Sequence, residues 1–227
     1  MIEAGVFNGQ DFQGVEMAWF EGRIEQARWA AGDAGGGFDS RTGDRPALKV
    51  RQAPDGLVQL IYQSTPSELT YAEWEKFVSF AENKGNGWAV ARHRERGLSE
   101  VGVRERYVRY CKALVAVGHG AGADAPTGMR HEIVALGNPF GDVSEGLTVE
   151  LRYQGALYPD AQLDVFEKAA DGTVNLTKVK SDALGQAVVP VRPGYRYLLN
   201  SVVLLESEGS GVAWESLWAS LTFAVPE

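Results

Sequence analysis

Cysteine is almost missing from this sequence: Cys111 is the only one in 227 residues. One cysteine closes no intrachain disulfide and builds no multi-cysteine zinc site. Histidine is nearly as scarce, with three copies at 93, 119 and 131, so any imidazole-based site has few ligands to draw on. No run approaches the ~18 consecutive apolar residues of a membrane-spanning helix. Bases are outnumbered, 22 against 30 acids for a net charge of −8, which argues against a general nucleic-acid binder. Familiar enzyme signatures are missing too: Gly-x-Ser-x-Gly, the phosphate-binding Gly-x-x-x-x-Gly-Lys, and His-Glu-x-x-His. The start, Met1-Ile2-Glu3-Ala4-Gly5, has neither the basic nor the apolar region of a signal peptide.

Glycine, by contrast, is plentiful at 27 residues, about twelve per cent against a usual ~7%, and turn dipeptides recur at short intervals. Both features suit many short strands. The charge is uneven: residues 1–118 hold 16 acids and 15 bases, for −1, and residues 119–227 hold 14 and 7, for −7. Between them runs Gly118-His119-Gly120-Ala121-Gly122-Ala123-Asp124-Ala125-Pro126-Thr127-Gly128, whose composition reads as a flexible linker. The expected organisation is a β-rich domain over 1–118, a Gly-rich linker over 119–129 and a second domain over 130–227.

In the first half, Val15 to Phe20, Ala47 to Arg51 and Leu57 to Gln63 read as short strands. One helix is expected near 71–84. Thr70-Tyr71-Ala72-Glu73 has capping-box form, Trp74, Phe77, Val78 and Ala81 share one helical face, and Gly85 suits the C-terminal cap. Over Val101 to Gly118 both periods fit, and the alternation of Val103, Tyr107, Cys111, Ala113, Val115 and Val117 favours a long strand. In the second half, Leu147, Val149, Leu151 and Tyr153 alternate with polar residues, and Tyr195 to Leu205 is apolar on both faces. About seven strands in roughly 100 residues is the pattern of an immunoglobulin-like β-sandwich. The predicted fold is therefore mainly β, with one packed amphipathic helix.

These segments carry a family resemblance. Gly43-Asp-Arg-Pro-Ala47, Tyr71 to Phe77, Glu105-Arg-Tyr-Val-Arg-Tyr-Cys-Lys-Ala-Leu-Val115 and Glu132-Ile-Val-Ala-Leu-Gly-Asn-Pro139 occur in order. Tyr153-Gln-Gly-Ala-Leu-Tyr-Pro-Asp-Ala161, Ser181-Asp-Ala-Leu-Gly-Gln-Ala187 and Pro193-Gly-Tyr195 follow. Together they resemble a bacterial periplasmic family described as a component of cobalt or nickel uptake systems, similar to the NikM-like nickel-uptake region. The second half resembles the transthyretin-like regulatory modules of carboxypeptidases. The resemblance implies a periplasmic, non-catalytic accessory protein, a divalent transition metal (nickel or cobalt), and a membrane transporter component or outer-membrane receptor as partner. Members of that family open with a signal peptide and a His-Glu-Phe-Trp segment. This sequence has neither, which implies a truncated form or a mis-called start.

A metal role asks for imidazole, supplemented by carboxylate. His119 and His131 flank the linker, Asp124 lies between them and Glu132 adjoins the second histidine, so a linker that folds back would bring these four together. His93 lies among Arg92, Arg94 and Arg96, which oppose a cation. His131 and Glu132 make a poor acid–base pair, because neighbours on a strand face opposite ways. The same argument separates Cys111 from Lys112 and makes the thiol a small core residue. The seven bases from Arg92 to Lys112 read as a solvated face. The competing expectation is a metal-independent module that binds a protein or glycan through its sandwich surface.

Overall fold

In a computed structural model the chain is described at residues 1–10, 12–209 and 211–227. Strands take 49% of it and helices 9%, so the protein is mainly β. The first half runs β1 (Ile2–Ala4), β2 (Val6–Gln10), β3 (Gln13–Met17), β4 (Ile24–Ala31), β5 (Ala34–Gly36), β6 (Leu48–Val50), β7 (Gly56–Ser64) and β8 (Ser67–Tyr71). Helices α1 (Trp74–Asn83) and α2 (Trp88–Glu95) lead into β9 (Val103–Val117). The second half runs β10 (His131–Ala135), β11 (Leu147–Tyr153), β12 (Ala156–Leu157), β13 (Gln162–Lys168), β14 (Val174–Lys180), β15 (Gln186–Val189), β16 (Arg196–Glu206) and β17 (Trp214–Ala224).

A nine-stranded mixed sheet forms the main layer, in the order β14-β13-β16-β17-β9-β7-β4-β5, with β8 also on β9. Strands from both halves meet inside it, because β17 pairs in parallel with β9 from Trp214↔Glu105 to Thr222↔Ala113. The sheet thus runs through the boundary that composition suggests near Gly118. A four-stranded sheet of β10, β11, β12 and β15 packs on one face over a core that includes Ile133, Leu151, Leu163, Leu199 and Leu221. The other face of β7 and β9 is covered by Ile2, Leu48 and Val50.

The long strand expected over Val101 to Gly118 is β9, and its alternation is regular. Val108, Tyr110, Lys112 and Leu114 are buried toward the four-stranded sheet, whereas Ala113, Val115 and Val117 pack against the β1–β6 side. The helix starts later than its capping-box motif implies. Thr70 and Tyr71 belong to β8, held in register against Arg104 and Val103, and Glu73 occupies the cap position without a side-chain hydrogen bond. Pairing with β9 satisfies the backbone there, so the box has no helix to cap. At the other end Gly85 takes φ +75°, the left-handed conformation expected of a C-terminal cap. A second helix, α2, was not expected. Its outer surface is Arg-rich, and only Ala89 and His93 are buried, so it has almost no apolar stripe to read.

Both helices lie on the nine-stranded sheet through an aromatic cluster. Phe77 stacks on the fully buried Trp214 at 5.7 Å between centroids, and Phe80 stacks on Trp218 at 5.6 Å. These two tryptophans from the end of the chain therefore join the helices of the first half to the last strand of the second.

Candidate functional site

The linker is mostly exposed, and it sends one buried carboxylate, Asp124, into the interior. It leaves β9 through Gly118 and crosses β7, where Gly56 leaves room for it: a Cβ on Gly56 would lie 2.7 Å from the Ala121 carbonyl oxygen. Leu57 N–H donates to that same carbonyl at 2.8 Å. Asn138 Nδ2 donates to the Gly120 and Gly122 carbonyls at 2.9 and 3.1 Å, and Arg28 Nη2 to the Thr127 carbonyl at 3.1 Å. Composition predicts mobility here. The finding is a strap pinned at most of its length, because its exposed carbonyls meet donors from four surrounding elements.

The strongest pin is a buried ion pair. Lys112 projects from β9 and lies 2.7 Å from Asp124 Oδ2, with the two side chains 1% and 0% exposed. Gln59 Nε2 donates to Asp124 Oδ1 and, at 2.9 Å, to the Ala125 carbonyl. The Ala135 N–H donates to Asp124 Oδ2 at 2.8 Å. Asp124 thus holds a cation, an amide and a backbone N–H at once. Burial pulls the Lys112 pKa down, and the charges of Asp124 and Glu132 hold it up. Glu132 closes the same region by accepting from Thr127 N–H and Oγ1, both at 2.7 Å. Lys112 therefore does not belong to a solvated basic face. Of the other six bases in that stretch, five do form exposed or half-exposed ion pairs, with Glu68, Glu95, Glu100 and Glu206.

The four residues expected to converge on a metal are placed as follows. His119 is exposed at the start of the strap, and its Nδ1 accepts from the Ala121 N–H at 3.0 Å. Asp124 is paired with Lys112, and Glu132 is held by Thr127. His131 points elsewhere: it is fully buried, and its Nδ1–H donates to the Arg152 carbonyl at 2.9 Å. Among the described residues no group of three His, Cys, Asp or Glu side chains is placed to hold a metal ion. The donor chemistry agrees, because Asp124 already neutralises an ammonium and the Glu132 carboxylate is filled by strap donors.

His131 is a buried neutral imidazole. A carbonyl only accepts, so the proton sits on Nδ1, and the opposite nitrogen, Nε2, has no hydrogen-bond partner. Burial pushes its pKa down from 6.5 to about 4, and the Arg152 carbonyl that accepts from Nδ1 offsets this only in part. The native state thus binds this proton less readily than the unfolded chain, so stability falls as pH drops from 6.5 toward 4. The cost integrates to about 3 kcal/mol. Glu105 acts in the opposite sense. It is fully buried between the Tyr71 hydroxyl at 2.5 Å and Ser216 Oγ, and burial raises its pKa despite those two donors. This carboxyl therefore costs stability as pH rises above the ordinary carboxylate range. Chemical denaturation of wild type and His131→Gln across pH 4–7 therefore isolates the histidine as a difference. We expect the variant to lose the part of the slope that favours higher pH, and identical slopes would refute the assignment.

His93 and Cys111 are likewise parts of the fold. His93 Nδ1 accepts from Trp214 Nε1–H and its Nε2–H donates to the Ser99 carbonyl, both at 3.0 Å. Both nitrogens are used within the fold. Cys111 faces away from Lys112 on β9, as alternation requires, and burial pushes its thiol pKa up, away from an activated nucleophile.

The class defined by this fold and site is a mainly β sandwich protein whose crossing strap is locked by a buried Lys–Asp pair. Residues 3–203 match the family model for DUF4198, a domain of unknown function, and the chain belongs to that family. No curated protein and no solved structure matches it.

Proposed function

We propose that the protein is a non-catalytic, extracytoplasmic accessory of divalent transition-metal uptake, for nickel or cobalt, and that it acts by docking to a transporter component or an outer-membrane receptor. The metal and the location come from the resemblance of its motif order to periplasmic uptake components. The observation that carries the choice of docking over carriage is the commitment of Asp124 and Glu132 to the strap: using them as ligands releases the buried Lys112 and the half-buried Thr127. The non-catalytic reading is supported by the same economy at Glu105 and His93, whose polar atoms are occupied inside the fold.

The test is metal accumulation. In cells of the source organism lacking the gene, nickel or cobalt content at limiting supply should fall several-fold and be restored by wild type and by His119→Gln alike. Unchanged accumulation sinks the uptake role and leaves the metal-independent interaction module. Calorimetry with nickel and cobalt adds the second arm, since saturable binding abolished in His131→Gln moves the role from docking to carriage.

A further inference from the structure

Strand β14 ends the nine-stranded sheet, and among the described residues its only strand partner is β13. The remaining edge of β14 has its row of backbone donors and acceptors unclaimed by another strand, over seven residues or about 23 Å. Beside it lies a cleft of about 360 Å³ between the two layers of the sandwich. Val165 and Val179 give the cleft an apolar lining, Asn175 and Thr177 bring polar side chains from β14, and Pro190 and Arg192 come from the chain leaving β15. Glu167 sits in the same cleft, fixed by the Tyr197 hydroxyl at 2.9 Å and 3.5 Å from Arg192. In an ordinary sandwich the inward side of a strand is covered by the facing layer. Here Asn175 and Thr177 are exposed, so the layer stops short of them.

The charge of this edge is opposite to that of the molecule. β14 carries Lys178 and Lys180 and no acid, Lys168 flanks it on β13, and the chain as a whole is at −8. Lys180 pairs with Asp160 at 3.3 Å, an exposed contact of little strength. Lys178 Nζ donates to the Asn83 carbonyl at 2.7 Å and Lys168 lies over the Phe12 ring, and among the described residues no carboxylate is within ion-pair distance of either. Alternation then divides the strand. Asn175, Thr177 and Val179 face the cleft, whereas Leu176, Lys178 and Lys180 share the opposite face, each across from a β13 residue of the same face.

The geometry points to β14 as an acceptor edge for an extended, acidic segment of a partner protein, which adds as a tenth strand. Its backbone would pair with β14, every second side chain would enter the cleft, and the intervening acids would lie beside Lys178 and Lys180. Main-chain pairing supplies affinity in this mode and the alternate side chains supply selectivity. Edge lysines also serve simply to discourage self-pairing, and the experiment separates the two roles. The inference does not depend on metal uptake.

The probe is a seven-residue capped peptide alternating valine and glutamate, titrated into the labelled full chain and followed by amide chemical shifts. Shifts confined to residues 174–180 and 190–192 are expected. Affinity should drop at least tenfold for Lys178→Glu/Lys180→Glu, for a peptide with proline at its centre, and for one with lysine in place of glutamate. Both substituted side chains are exposed, and unchanged amide shifts elsewhere verify that the variant is folded. An absence of shifts, shifts centred on another edge such as Ala34–Gly36, or equal affinity for the lysine peptide would overturn the proposal and leave the lysines as protection against aggregation.

Discussion

Replacing Lys112 by Met should destabilise the protein by about 3–5 kcal/mol, the usual cost of stripping one partner from a buried ion pair. The reason lies in what remains. Asp124 keeps its amide and backbone donors but loses the cation 2.7 Å away, in a place where neither side chain reaches water. Asp124→Asn should cost a similar amount from the other side, because it leaves a buried ammonium facing the Ala125 carbonyl at 3.4 Å. The double variant Lys112→Met/Asp124→Asn should recover part of the loss, because it leaves neither charge unpaired. The strap gives a second readout. Its anchoring passes through Asp124, Ala125 and Thr127, so limited proteolysis of Lys112→Met should cut within 119–129 faster than in wild type. A Lys112→Met variant within 1 kcal/mol of wild type, with unchanged cleavage, would show that the pair does not lock the strap.

Trp214→Ala should cost about as much, 3–5 kcal/mol, the range for emptying a large aromatic site. The indole is completely buried, stacks on Phe77, meets Trp88 edge-on at 5.7 Å, and lies under Arg96 with the guanidinium 5.1 Å from its ring. It also gives its N–H to His93 Nδ1, so its removal leaves a buried acceptor unpaired. Trp214→Phe keeps most of the packing and loses the N–H. That variant should cost only about 1–3 kcal/mol, the penalty of one unsatisfied buried group. Hydrogen exchange should localise the damage of Trp214→Ala to α1 and α2, which reach the sheet through this cluster, and leave β11 and β13 protected. Uniform loss of protection would mean that the cluster serves the whole sandwich rather than the helices.

The two substitutions probe the same question at two places, namely how the strap and the helix pair are held against the main sheet. Lys112 and Asp124 are neighbours in sequence terms, yet their pairing needs the strap to double back across β7. Phe77 and Trp214 are separated by most of the chain. One junction is ionic and the other aromatic. The strap's strongest pin is a single buried charge pair, whereas the helix contact is spread over several rings, so Lys112→Met should be the more localised lesion.

Period-two alternation was enough to locate β9 and β11, and a run apolar on both faces located β16, because a strand writes its buried faces directly into neighbouring residues. The same local logic found α1 through Trp74, Phe77 and Ala81, separated Cys111 from Lys112, and made the chain mainly β before any contact was known. What depended on distant partners was not legible. Thr70 sits in a good capping box but was drawn into β8 by pairing with β9. The glycines and small residues of 119–129 describe a flexible strap in isolation, and only hydrogen-bond and ionic partners on β7, β9, β10 and the loop at Asn138 turn it into a fixed one. His119, Asp124, His131 and Glu132 cluster in sequence, which suggested a shared ligand. In the folded chain one lies at the surface, two hold the strap, and His131 faces the Arg152 carbonyl. Closeness along the chain limits how far apart side chains are and leaves their directions open. Those directions were decided by the pairing of β10 with β11 and by the docking of β17 on β9, the second across about a hundred intervening residues.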